Sequence, residues 1–298
     1  MPPIQCVPNV SEGRRPEVVA RLVDAVTSAP GVRLLDVSSD PDHNRSVFTL
    51  AGTAGDLRAG LLALYEVAIR EIDLTRHEGV HPRVGAVDVV PFVPLGDTPM
   101  EEAVAAAGAL AAEVADRFGL PVYLYEKAAR RPERRLLADI RRGGFEGLPA
   151  KMAGPAWSPD LGPARVHPTA GATVIGARFF LIAFNAVLDT PDASLARAIA
   201  KKVRESGGGL PAVRAMGVYL ASRGQAQVSM NLVDFRRTSV LTALNRVRQE
   251  AEALGARVLE SELIGLMPEE AAAGVMREAL QMPGFAPDRV LESHFSRD

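Results

Sequence analysis

Short apolar blocks alternate with amphipathic stretches along all 298 residues, a pattern that predicts an α/β or α+β architecture rather than a helical bundle or a sandwich. Residues 4–9, 32–37, 46–52 and 84–93 read as strands and residues 16–28 and 56–72 as helices, giving the order β-α-β-β-α-β. Leu57, Leu61, Leu64, Ala68 and Ile72 recur at helical spacing and predict one apolar stripe lying against a sheet. Thr98-Pro99-Met100-Glu101 has the form of a capping box with proline in the first turn, opening a helix that runs to Gly119. A strand over 122–125 and a helix over 133–141 follow.

Residues 143–171 hold six glycines and five prolines and interrupt this pattern. A stretch so long without regular structure predicts a linker that also serves as a functional loop. Beyond it the element order recurs, with strands at 177–187, 214–219, 225–235 and 257–266 and helices at 191–205 and 240–254; no residue-level repeat accompanies it. The expected fold is therefore α+β, with two ferredoxin-like βαββαβ subdomains, residues 1–171 and 172–298. Their sheets are expected to face a central cleft, where ligand sites commonly form.

Composition narrows the function. A net charge of −2 and a pI near 6.3 argue against a nucleic-acid partner, and the thirty arginines, against four lysines, are scattered rather than clustered. Cys6 is the only cysteine, which excludes a disulfide framework and a Cys-rich metal site. The apolar opening at residues 4–10 is too short for a signal-peptide core, and no uninterrupted apolar run reaches membrane-spanning length. A soluble cytoplasmic protein without a membrane role is expected.

Residues 76–83 read Arg-His-Glu-Gly-Val-His-Pro-Arg, and His77 to His81 satisfy the zinc-protease pattern H-E-x-x-H. That pattern needs both histidines on one face of an intact helix. Pro82 drives His81 toward extended geometry and Gly79 weakens the same turn, so His81 is expected on a loop and no metal is expected. An imidazole beside Arg76 and Arg83 suits acid–base chemistry on an anionic substrate, since it titrates near pH 6.5. The plain alternative is an exposed loop histidine.

Asp40-Pro41-Asp42-His43-Asn44-Arg45 joins two expected strands, and a turn accounts for its Pro, Asp and Asn. His43, Asn44 and Arg45 are also candidate donors to a ligand, arginine forks matching carboxylates in two bonds. Asp36 is either a strand-end surface residue or a group that orients an imidazole or balances a cationic substrate. Cys6 reads as a small core residue, Gly207-Gly208-Gly209 as a helix stop rather than a phosphate loop, and Trp157 as packing.

Ordered motifs run nearly end to end: Val7-Pro8-Asn9-Val10-Ser11-Glu12-Gly13, Leu34-Leu35-Asp36 leading to Asn44-Arg45, the octapeptide at 76–83 with Gly85 and Asp88, Gly162-Pro163, Gly171-Ala172, Gly176-Ala177-Arg178, Leu181-Ile182-Ala183-Phe184-Asn185, Gln227-Val228-Ser229 with Asn231, and Gly265-Leu266. On these the chain resembles the formiminotransferase family. The resemblance implies transfer of a formimino group from N-formimino-L-glutamate to N5 of tetrahydrofolate, the cosubstrate, in histidine degradation. It makes His81, in the His-Pro-Arg triplet, the catalytic histidine. It places the folate loop on Gly162, Pro163, Ala164, Arg165, Val166, His167, Pro168, Thr169, Ala170 and Gly171, and it implies a homodimer.

With a dicarboxylate donor and the glutamate tail of folate to hold, Arg83, Arg45 and Arg178 are the expected anion contacts; Asn44 as a hydrogen-bond donor and Asp36 as partner of a cationic group complete the expected substrate-binding set. Two departures stand out. Ser38 replaces a second acid, with Asp40 or Asp42 to compensate, and Ala170 replaces a tryptophan, implying less stacking on folate. The cyclodeaminase domain fused to vertebrate members is missing, so a cyclodeaminase would be a separate protein. Two other readings stay open: a glutamate formyltransferase using N-formylglutamate or 5-formyltetrahydrofolate, and a folate-binding protein without catalysis.

Overall fold

The computed structural model describes residues 3–272 together with Ala279, Arg289 and Leu291. The chain forms two compact units, Met1–Arg178 and Phe179–Asp298.

The first unit opens with β1 (Ile4–Cys6) and β2 (Asn9–Val10), which occupy one strand position broken at Val7-Pro8. Proline has no N–H to give the ladder, so the expected continuous strand over 4–9 is interrupted there. Then come α1 (Pro16–Thr27), β3 (Arg33–Asp40), β4 (Arg45–Gly52), α2 (Ala54–Glu71) and β5 (Val87–Pro94). Next are α3 (Met100–Phe118), β6 (Val122–Glu126), α4 (Leu137–Arg141), α5 (Gly144–Met152) and β7 (Thr173–Ala177). In the sheet β4 lies between β3 and the β1/β2 position, β5 lies on the other side of β1/β2, and β7 then β6 complete the row. The last two pair parallel to β5 through β7; the earlier pairings are antiparallel.

Why these elements form is visible in their side chains. On α2 the stripe Leu57, Leu61, Leu64 and Ala68 is buried, and the Thr53 hydroxyl accepts from the Asp56 amide at the N-cap. The helix α3 stops at Gly119, whose φ of 61° suits glycine. Its expected capping box does not form: Thr98 Oγ1 donates to the Pro3 carbonyl instead, and Pro99 is the cap. One core lies between α1–α3 and the sheet and contains Cys6, fully buried as expected. A smaller one lies on the other face, where Ile140, Leu148 and Met152 pack on Val89, Tyr123, Tyr125 and Val174.

Residues 143–171, expected to lack regular structure, thus contain α5 and a 3-10 turn at Pro155–Trp157, and the helix expected over 133–141 is a 3-10 turn followed by α4. Of the strand expected over 177–187, Ala177 ends β7, which lies between β5 and β6 in the first sheet, and the later part is β8 (Ile182–Leu188) of the second. The units accordingly divide after Arg178, and not at 171/172, because β7 is hydrogen-bonded on both sides within the first sheet.

The second unit runs β8, α6 (Ala193–Val203), β9 (Val213–Leu220), β10 (Gln225–Leu232), α7 (Val240–Glu252), β11 (Val258–Ile264), then a short α8 (Glu269–Ala272). Its sheet is antiparallel in the order β11-β8-β10-β9. Numbering the four strands of this βαββαβ unit in chain order gives 4-1-3-2. Counting β1/β2, β3, β4 and β5 as four gives the same order in the first unit, to which α3, β6, α4, α5 and β7 are added.

Candidate active site

Three loops of the first unit are bonded together where β4 and β5 begin. Asn44, in the left-handed region with φ 46°, accepts from the Gly13 amide through Oδ1 (3.0 Å) and donates through Nδ2 to the Glu78 carbonyl (2.9 Å). Asp40 accepts from the Asp42 and His43 amides at 2.8 Å each. Gly79 lies so close that a Cβ there would stand 2.4 Å from the His43 carbonyl oxygen. Asn44 is thus a strut between loops.

Residues 72–86 contain no helix, so His77 and His81 do not share a helical face. His77 is also fully engaged. Its Nδ1 accepts from Arg83 Nε (3.0 Å), which requires the ring proton on Nε2, and Nε2–H donates to the Asn44 carbonyl (2.9 Å). Burial, with Arg83 beside it, lowers the His77 pKa and keeps it neutral. The zinc-protease match is a coincidence of letters.

His81 is half-buried on the same loop. Its Nδ1 faces the Pro82 carbonyl at 2.8 Å, and a carbonyl only accepts, so Nδ1 carries the proton and Nε2 holds a lone pair. Burial, then the charges of Arg45 and Arg141, push its pKa well below the ordinary value, against the pull of Asp88. The His43 ring packs edge-on at 5.8 Å between centroids, its own Nε2 buried without a hydrogen bond.

Under the histidine is a buried ion cluster. Asp88 is completely inaccessible; its Oδ1 accepts from the Val84 amide (2.8 Å), and its Oδ2 receives Arg45 Nη1 (2.8 Å) and Arg141 Nη2. Burial alone would raise the Asp88 pKa, but Arg141 and Arg45 outweigh it and hold the carboxyl far below the usual range. Arg45 also donates to Asn9 Oδ1 (3.1 Å), and burial brings its pKa down to about 10. Two cations on one anion leave a net positive field beside His81.

Arg83 donates from Nη1 and Nη2 to both oxygens of Glu146 on α5 (3.1 and 2.7 Å). The segment joining β6 to β7 therefore brings two side chains to the candidate site, Arg141 and Glu146, that sequence reasoning missed. One signal existed for their cluster: Asp88 is an acid inside an apolar run, and such a residue demands buried partners.

The other expected contacts fall elsewhere. Asp36 accepts from Ser38 Oγ (2.8 Å) and pairs with Thr49, four residues along the strand from Asp40, which pairs with Arg45; that is roughly 13 Å at strand rise. The Arg178 amide donates to the Phe92 carbonyl, four residues along β5 from Asp88, and its guanidinium bonds Tyr125, whose pKa burial pushes up to about 12. These two lie along the sheet from His81, not beside it.

In the loop Gly162–Gly171, His167 and Gly171 exchange backbone bonds (2.9 and 3.1 Å), and His167 Nδ1 accepts from the Ala170 amide (3.0 Å). Carbonyls of Thr169 and Ala170 receive the Leu74 and Ala86 amides, docking the loop beside the histidine loop. Ala170 points into the core, 2% exposed, so its side chain does not line a ligand face. Gly162, Ala164, Arg165 and Pro168 are the exposed members, while Pro163, Val166, His167 and Thr169 are half-buried. Among the described residues no helix is long and apolar enough to cross a membrane.

Known proteins align over almost the whole chain. Residues 3–178 match the formiminotransferase domain, N-terminal subdomain, and residues 183–278 the formiminotransferase domain. The chain is 44% identical to the glutamate formimidoyltransferase of Streptococcus pyogenes serotype M1 over 98% of both chains. It is 43% identical to that of Thermoplasma acidophilum, covering 97% of this chain and 96% of the relative. Against the formimidoyltransferase-cyclodeaminase of Gallus gallus it is 44% identical over 90% of its own length but spans only 50% of that protein. The chain belongs to the formiminotransferase family.

Proposed function

We propose that this protein transfers the formimino group of N-formimino-L-glutamate to N5 of tetrahydrofolate, releasing glutamate and 5-formiminotetrahydrofolate. End-to-end similarity to two stand-alone glutamate formimidoyltransferases supports the reaction. The observation that carries the chemistry is the tautomer of His81, a neutral imidazole with its Nε2 lone pair uncommitted. N5 attacks the amidine carbon while Nε2 takes the N5 proton. The tetrahedral intermediate then collapses as the same imidazolium returns that proton to the departing glutamate nitrogen. One C–N bond forms, one breaks, and one proton passes between nitrogens.

Arg83 and the net positive field of Arg45, Arg141 and Asp88 suit the donor's carboxylates, and the exposed backbone of Gly162–Gly171 is the folate contact. Arg178 and Asp36, farther along the sheet, serve the distal parts of the two substrates. Folate is a cosubstrate and no metal takes part. The working form is a cytoplasmic homodimer, with any cyclodeaminase a separate protein. Offering N-formiminoglutamate and N-formylglutamate in parallel, each with tetrahydrofolate, tests the assignment. Preferential turnover of the formimino donor is expected; preferential turnover of the formyl donor would replace this reading with a formyltransferase, and folate binding without either transfer would remove catalysis.

A further inference from the structure

The cations around His81 differ in how firmly their counter-charges are held. Arg45 and Arg141 share Asp88, which solvent does not reach. Arg83, only 12% exposed, is paired instead with Glu146, whose side chain is 64% exposed. The pairing is fork to fork, Nη2 to Oε1 at 2.7 Å and Nη1 to Oε2 at 3.1 Å. The rest of the guanidinium is fixed from behind by His77, through Nδ1 (3.0 Å) and its carbonyl (3.1 Å). One partner sets the plane of the fork, and the other fills its open side.

The turn that delivers Glu146 is specialised. Gly143 and Gly144 have φ of 93° and 63°, and a Cβ on Gly144 would stand 2.9 Å from Glu146 Oε2. The glycine pair lets α5 start with its first carboxylate folded back onto Arg83. The hydrogen bonds from Arg83 lower the Glu146 pKa, so it remains an anion in the fork at neutral pH.

We infer that Glu146 is a place-holder: it occupies on Arg83 the position of a substrate carboxylate, and it leaves when the donor arrives. This rests on the reading that the donor is an N-substituted glutamate. The planar, two-oxygen contact that Glu146 makes defines what displaces it, a carboxylate with both oxygens available. Because one ion pair is exchanged for another, the open side of the Arg83 fork is never left without an anion. Donor binding is weakened by the strength of the internal pair, and Glu146 is a determinant of KM rather than of the chemical step.

The test uses the full chain and the near-isosteric Glu146→Gln, a change at an exposed position. Steady-state kinetics with N-formiminoglutamate should show KM lowered roughly two- to five-fold, the scale of a solvent-exposed ion pair, with the change confined to KM. Calorimetric titration with glutarate, a dicarboxylate that cannot react, should show tightening of the same size. An unchanged or raised KM together with unchanged glutarate affinity overturns the place-holder. If the unaltered protein does not turn over the donor while Glu146→Gln still tightens glutarate, the exchange stands and the assigned donor falls.

Discussion

Two histidines four residues apart are held in opposite ways, and the difference sets which ring nitrogen each has left to offer. His77 has both nitrogens engaged, whereas His81 uses only Nδ1. Replacing His81 by alanine should leave tetrahydrofolate binding nearly intact and reduce turnover by ~10²–10⁴-fold, the usual size of general acid–base help, as measured by transfer assay and folate titration. Retained activity would remove it from the mechanism. Since burial and nearby arginines lower its pKa, the base stays neutral below the ordinary histidine range, and the acid limb of kcat/KM should lie below about pH 6.5. Arg141→Gln removes one of those cations and should move that limb upward. Pro82 made the loop position of His81 legible in the sequence. The role of His77 was not legible, because it depends on a carbonyl of Asn44 and a guanidinium that only the folded loops bring to it.

Among the elements, the strands and helices with clean periodicity were readable from the chain, including the stripe on α2 and the stop of α3 at Gly119. Parts of the segment joining β6 and β7 were not. The glycines and prolines of residues 143–171 read as loop, yet Leu148 and Met152 turn α5 onto the sheet beside Ile140 of the expected α4. Tertiary burial overrode weak local preference there, and it carried Glu146 to the candidate site. The loop 162–171 shows the converse, a glycine required by its own backbone conformation and by a close neighbour. Gly171 has φ 73°, and a Cβ would stand 2.1 Å from the Val84 carbonyl oxygen. Gly171→Ala should therefore cost about 1–3 kcal/mol of stability and weaken tetrahydrofolate binding together, read by denaturant titration and ligand binding. Loss of neither would mean that the loop adapts without strain.

For the whole molecule, the duplicated 4-1-3-2 strand order hides a chemical asymmetry. Buried charged side chains among the described residues, including Glu12, Arg45, Asp88 and Arg134, all lie in the first unit; the buried polar groups of the second are Asn185, Gln227, Thr238 and Ser261. Asp88 has a folded pKa below its unfolded value of about 3.9, so its contribution is present above that value and is lost as pH falls from there toward the folded pKa. Acidification should open the first unit before the second, visible as earlier loss of hydrogen-exchange protection in residues 3–178. Simultaneous loss would contradict this. Asp88→Asn, which strands two arginines, should cost about 3–5 kcal/mol at neutral pH.

The placing of β7 between β5 and β6 also sets a timetable for folding. A ribosome delivers β5 and β6 first, but neither can join the other until residues 173–177 emerge and fill the gap. Until then the β5 side that β7 will cover is an open edge, the kind of surface on which nascent chains associate. The last few residues of the first unit act as a keystone, so a chain ending at 171 should aggregate where one ending at 178 has its sheet complete.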